Sequence, residues 1–470
     1  MSTSPFLEAG EVSEHDVSGW PSGGSSSSRK GRSQSVVSDE KEVNAESPSC
    51  LTRGGLLTST WILTSVSLGM GVFVQPKVVA RMGYVQGTIL IVLFAAITNY
   101  SQILLIMVMG GEVFLTYGEV CKVILGDAGL VLNSITMTLT CLVANAGHLA
   151  TATQMLHDII CWYFTGSYSY NFTSSQRLVT LCLLCGFVLP FCLDSTELHS
   201  LRYISTTSVS ICVTLALSVM VLAGSRLYSH GIASGDQGVP AFSSDVGASL
   251  SGCAAICFAY SSIINIVSVN RDISTVHRNE DAEKVQRRSI FAVSLTSIVC
   301  AFFYASLSLL CVLAYGNLCK QNEGNILYLF PPSFYWITAW CFALVVSVTL
   351  LYPVINNPMV NNMETLCLLF LPPEPTSFLG RHRRAVISLI GMVFVIALDT
   401  FVTDLANIFG LCGSLGLGTV SMILPGWLAM KRRHVLPRIH WFGAFFIFIC
   451  GIIITFGSSY AVVSDILKKS

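Results

Sequence analysis

Long apolar runs dominate this chain, and an apolar run of about 20 residues matches the hydrocarbon thickness of a bilayer. Val85–Met109 and Ser289–Tyr315 are two of several that reach this length. Hydrocarbon supplies no hydrogen-bond partners, so a spanning segment must satisfy its own backbone, as a helix or within a closed barrel. These runs are too long for barrel strands and do not alternate apolar with polar. The fold class is therefore all-α integral membrane. Composition agrees: 11% of the residues are charged, less than half of the roughly 25% that a soluble chain carries. The formal net charge is +0, with no large basic patch, which argues against a nucleic-acid partner.

Eleven spans are expected. They lie at about Gly55–Ala80, Val85–Met109, Leu130–Ile160, Leu178–Leu193, Tyr203–Ala223, Val246–Val269, Ser289–Tyr315, Phe334–Val354, Ala385–Leu398, Leu405–Met430 and His440–Val463. The ninth is short for a crossing. Lys and Arg cluster between spans six and seven (Arg271, Arg278, Lys284, Arg287, Arg288), eight and nine (Arg381, Arg383, Arg384) and ten and eleven (Lys431, Arg432, Arg433, Arg438). Eleven crossings put all three clusters on one side, which the positive-inside rule makes cytoplasmic. The N-terminus is then cytoplasmic and the C-terminus outside or lumenal. The sequon Asn171-Phe172-Thr173 falls on the outer side, as a glycosylation site must, whereas Asn99-Tyr100-Ser101 falls inside a span. Residues 1–50 are polar, rich in Ser and Gly, and carry the run Ser25–Ser28. They read as a disordered cytoplasmic tail before a transmembrane domain over 51–470. The chain opens without a signal-peptide pattern. Most of the 17 cysteines lie inside apolar segments, including the CxxC pair Cys182 and Cys185, and read as small buried hydrophobes.

In a membrane carrier, function concentrates where a helix is interrupted near midplane. The first span holds Gly69-Met70-Gly71 and then Gln75-Pro76. Each glycine weakens a helix by roughly 1 kcal/mol relative to Ala, and Pro76 removes an N–H donor. Such a site either unwinds to expose backbone groups to a ligand or lets two helices pack closely. The sixth span holds Gly252 and the polar interruption Phe258-Ala259-Tyr260-Ser261-Ser262, with Asn265 beyond. Interruptions at corresponding places in two five-helix halves point to an inverted-repeat carrier. The alternative is hydroxyls bonding to their own helix carbonyls. Further intramembrane polar groups are Asn145, His148, Gln154 and Asp158 in the third span and Ser347 and Thr349 in the eighth. His148 reads either as a titrating group or as a structural one bonded within the bundle. No HExxH, GxSxG or Walker loop is present, so neither an enzyme nor an ATP-driven pump is expected.

Four stretches together resemble the amino acid/auxin permease family. They are Leu68-Gly69-Met70-Gly71-Val72-Phe73-Val74-Gln75-Pro76 with Ala80-Arg81-Met82-Gly83, Thr116-Tyr117-Gly118-Glu119-Val120 with Gly126, Phe258-Ala259-Tyr260 through Asp272-Ile273, and Ile408-Phe409-Gly410-Leu411-Cys412-Gly413-Ser414 with Ile423-Leu424-Pro425-Gly426. The resemblance covers essentially everything after residue 50. It implies a LeuT-like fold of two inverted five-helix repeats plus one helix, carrying an amino acid by alternating access with H+ or Na+ as coupling ion and no other cofactor. Carried over residue by residue, Gly69, Met70 and Gly71 would bind the substrate carboxylate, and Phe258, Tyr260 and Ser261 the amino group and side chain. Ser65, Ser347 and Thr349 would be the ion-coupling oxygens. The chain departs from sodium-coupled members at Ser65, where Asn is typical, and from many members at Ile263 and Ser268, where His and Pro occur. Those departures lean toward protons. An amino-acid sensor built on the same fold is the alternative function, and a scaffold without transport is a third. The topology suits a plasma membrane or a vacuolar or lysosomal one.

Overall fold

The computed structural model describes residues 55–69, 71–165, 173–194, 201–321, 326–329, 335–370, 378–401, 405–434 and 436–469. The tail expected over 1–50, Met70 and Asn171 lie outside them. Every regular element among the described residues is helical. Among the described residues ten helical stretches are each long and apolar enough to cross a membrane, and a bent pair counted as one span makes eleven. That pair is α1 (Leu56–Leu68) and α2 (Gly71–Met82). Then come α3 (Tyr84–Met109), the short α4 (Tyr117–Leu125), α5 (Asp127–Thr165), α6 (Ser174–Asp194) and α7 (Leu201–His230). The sixth crossing divides into α8 (Val246–Ala259) and α9 (Ile263–Val276). It is followed by α10 (Ala282–Tyr315), the single turn α11 (Leu318–Gln321), α12 (Tyr335–Phe370) and α13 (Phe378–Phe401). The tenth crossing runs through α14 (Leu405–Leu411), two π-helical stretches (Cys412–Leu417, Thr419–Ile423) and α15 (Leu424–Lys431). The last is α16 (Arg438–Ile452), a π-helical stretch (Ile453–Ser458) and α17 (Ser459–Lys469).

Several observed helices run past the expected bounds, the ninth and eighth spans by most. The ninth is no short segment: α13 carries an apolar stretch from His382 to Phe401, long enough to cross. The eighth continues sixteen residues past Val354, to Phe370. Its polar extension is helical because neighbouring helices receive its side chains. Asn356 Nδ2 donates to Ser388 Oγ at 3.1 Å. Glu364 pairs with Arg383 and, at 3.1 Å, with Arg384, whose other nitrogen donates to Asn357 Oδ1 at 2.9 Å.

α4 was not expected as an element. Thr116 caps it by accepting from Glu119 N at 3.2 Å, while Glu119 Oε2 accepts from Leu115 N at 2.8 Å, a reciprocal arrangement close to a capping box. Gly118 is small because a Cβ there would lie 3.0 Å from Leu130 Cδ1. The Tyr117 hydroxyl donates to Val420 O at 3.1 Å, and burial pushes this phenol well above its usual range. The Thr-Tyr-Gly-Glu motif thus anchors α4 beneath the tenth crossing.

α5 and α12 pack along each other, and α10 lies against α1, α2, α3 and α7. The connection between α7 and α8 clasps two other turns through its backbone. Tyr84 N and Val85 N donate to Pro240 O and Ala241 O, both at 3.1 Å, and Ser243 N donates to Met82 O at 3.0 Å. On its other side Ala233 N donates to Leu313 O at 2.9 Å and Asn317 N to Gln237 O at 2.8 Å. Gly83 makes the approach possible, with a φ of 95° and a Cβ position only 2.7 Å from Ala241 O.

Candidate functional site

The two broken crossings meet in the interior of the bundle. The axes of α1 and α2 differ by 50°. Gly69, at their junction, has φ −48° and ψ −135°, outside any helix. In the sixth crossing the helix ends at Ala259 and restarts at Ile263. Tyr260 leaves it with ψ 40°, its N–H turning to Cys257 O at 3.2 Å. A helix end leaves backbone groups without intrahelical partners: carbonyls at the C-terminal ends of α1 and α8, N–H groups at the N-terminal ends of α2 and α9. The former ends carry partial negative charge and the latter partial positive charge.

One phenol ties these ends together. Tyr304, buried on α10, donates its hydroxyl to Ser67 O at the end of α1 and lies 2.8 Å from Ala259 O at the end of α8. A phenol has a single proton, so two carbonyls share it. Ser261 adds a direct link, its Oγ donating to Val66 O at 3.2 Å. Gly71 completes the junction. A Cβ there would lie 3.4 Å from both Cα and Cβ of Ala259, so the start of α2 touches the end of α8 without an intervening side chain.

The expected site residues divide around this point. Gly69, Gly71 and Ser261 lie at the junction itself. Tyr260 turns away: its hydroxyl donates to Ile91 O on α3 at 3.1 Å, and its ring meets that of Tyr304 edge-on at 5.3 Å. Phe258 is buried and stacks on Phe409 of α14 with ring centroids 4.4 Å apart. The three hydroxyls expected to hold an ion are not joined by any hydrogen bond. Ser65 Oγ donates to Ile62 O at 2.7 Å and Thr349 Oγ1 to Val345 O at 2.7 Å, both within their own helices. Ser347 Oγ is buried with no hydrogen-bond partner among the described residues.

Two residues gain prominence from the geometry. The first is Tyr304, which the sequence hides among Phe302 and Phe303 as one more aromatic of an apolar run. The second is His148 on α5. Its Nδ1 lies 2.7 Å from Ala144 O, so that nitrogen carries a proton, and when the ring is neutral its Nε2 is an acceptor. Nε2 is 3.6 Å from where a Cβ on Gly69 would stand. Asn145, one turn earlier on the same face, is fully buried, and neither amide atom has a partner among the described residues.

Ten to eleven candidate crossings among the described residues, of which the first and sixth break at a shared buried point, have the build of a multi-pass membrane carrier. The comparison with known sequences names its kind. Residues 52–464 match the transmembrane amino acid transporter protein family, and the chain belongs to that family, which is one of transporters and not of enzymes. Over 441 residues it is 21% identical to the amino acid transporter AVT6E of Arabidopsis thaliana, a similarity covering 87% of this chain and 84% of that protein.

Proposed function

We propose that this protein is a secondary transporter that carries an amino acid by alternating access, with the proton as coupling ion. The observation that carries the reading is the Tyr304 junction. An amino acid is a zwitterion. Its carboxylate suits the N-terminal ends of α2 and α9, and its ammonium suits the carbonyl ends of α1 and α8. Both pairs of ends meet at Gly69–Gly71 and Tyr260–Ser262, and a bound ammonium would add to the few donors, Tyr304 and Ser261 among them, that these carbonyls now share. The matching positions of the two breaks in the chain favour a LeuT-like pair of inverted repeats.

His148 supports the proton. It presents an acceptor nitrogen at the first break. Three Arg-rich loops sharing one side favour a cytoplasmic N-terminus. The test is uptake of labelled amino acids into proteoliposomes holding only this protein, under an imposed proton gradient and then a sodium gradient. Saturable uptake driven by the proton gradient alone is the expected result. Uptake driven by sodium alone would overturn the coupling assignment. Folded protein that binds an amino acid without flux in either gradient would replace the transporter with a sensor.

A further inference from the structure

A crevice opens in the seam between α2, α8 and α14, on the face opposite the Arg-rich loops. It encloses about 250 Å³ counted to its open mouth, and its closed part has room for about one water molecule. Its floor is small and buried: Ser251, Gly252 and Ala255 of α8, with Asn407 of α14. Arg81 of α2 is the one lining residue that is not buried. Its Nη2 meets Asp465 Oδ2 at 2.6 Å, and its side chain is 24% exposed. Among the described residues its other guanidinium nitrogens have no hydrogen-bond partner. Asp465 belongs to α17, which packs across both α8 and α14. One turn earlier on that helix Val462 fills the space left by Gly410, whose Cβ would lie 2.9 Å from Val462 Cγ2.

The seam continues from the crevice to the broken helices. Below Arg81 and Val78, one turn along α2, Gln75 donates its Nε2 to Ala255 O at 3.4 Å, and its buried Oε1 has no partner among the described residues. A further turn along lies Gly71, against Ala259. A guanidinium at the mouth, an unsatisfied amide oxygen halfway and the junction at the bottom form one line between α2 and α8.

We infer that this seam is the path by which the amino acid reaches the junction from that face, and that Arg81 receives its α-carboxylate first. Asp465 is then a carboxylate of the protein's own that occupies the guanidinium while the path is shut. Both are planar carboxylates that a guanidinium can hold through two parallel N–H bonds. Asp465 uses one nitrogen, and a partly exposed pair of this kind is held weakly, so an arriving carboxylate can exchange with it. α17 thereby acts as a latch across α8 and α14. The inference rests on the amino-acid reading of the junction.

The test follows the crevice directly, in full-length protein in proteoliposomes. A thiol is introduced by Ser251→Cys, and its reaction with a membrane-impermeant thiol reagent is timed against the parent protein. Asp465→Asn should speed the reaction about tenfold, as expected when one favourable contact of the shut form is lost. An amino acid that the protein transports should slow it, and the amide of the same amino acid, lacking the carboxylate, should not. Arg81→Lys, which keeps the charge but not the planar fork, should weaken that protection. A reaction rate indifferent to Asp465→Asn, or equal protection by the amide, would overturn the inference. Uptake by the parent protein is measured alongside. Uptake without these responses removes the path alone, whereas absence of both uptake and protection removes the transporter reading with it.

Discussion

Tyr304 holds the ends of two half-helices with a single O–H. Tyr304→Phe keeps the ring against Tyr260 and removes only that donor, leaving Ser67 O and Ala259 O to find others. An unpaired buried polar group costs about 1–3 kcal/mol. Uptake is expected to fall about tenfold or more, the rate equivalent of one such loss, alongside a melting temperature in detergent lowered only as far as that one loss requires. A large fall in melting temperature with unchanged uptake per folded molecule would make Tyr304 a structural residue only. His148 belongs to the same scale. If its Nε2 accepts the coupling proton, uptake rises as the pH on the substrate side falls, and His148→Gln flattens that dependence while exchange of amino acid without a gradient persists. Retained pH dependence in the variant would move the proton elsewhere. The glycines and serines of the junction were legible in the sequence because they interrupt an apolar run. Tyr304 was not, because a tyrosine beside two phenylalanines carries no signal of what its hydroxyl will meet 237 residues away.

Among the elements, the tenth crossing shows how a motif can be legible and its reason hidden. Gly410 and Gly413 read as part of a family likeness, and Gly416 follows them; the structure shows what these glycines permit. A Cβ on Gly413 would lie 1.8 Å from Ala254 O, and one on Gly416 2.0 Å from Thr140 Oγ1, so this crossing sits directly on α8 and α5. Gly413→Val has no room to be absorbed, because the obstacle is backbone. Overpacking typically costs about 1–3 kcal/mol. We expect at least that loss of stability, read as a lower melting temperature and a smaller folded fraction, together with lost uptake as α8 is pushed from Gly71. The end of α12 was illegible for a different reason. A run of asparagines beyond Pro353 looks like a loop by hydropathy, and only the partners on α5 and α13 make it helical, as with Asn133 Nδ2 to Asn362 Oδ1 at 3.4 Å.

At the scale of the whole molecule, ionic ties between distant helices supplement apolar packing. Arg177 of α6 grips Asp399 of α13 through Nη2 at 2.7 Å and Nε at 3.3 Å, and the Asp399 side chain is 0% exposed. Breaking a buried pair by removing one partner costs about 3–5 kcal/mol, because a charge is left without compensation. Arg177→Ala should therefore lower the melting temperature sharply, and adding Asp399→Ala should restore part of the loss. An unchanged melting temperature for Arg177→Ala would mean the pair contributes nothing. Hydropathy could place both helices but could not pair these residues, which stand 222 positions apart. The clasp between α7 and α8 has a consequence of another kind. Its bonds to the turns after α2 and α10 run mostly from main chain to main chain, so they depend on how many residues there are and hardly on which. A library across Ala233–Ser243 should accept most exchanges of one amino acid for another at exposed positions and reject the gain or loss of even one residue. The stretch would then be free in spelling and fixed in length, the reverse of what an exposed loop ordinarily tolerates.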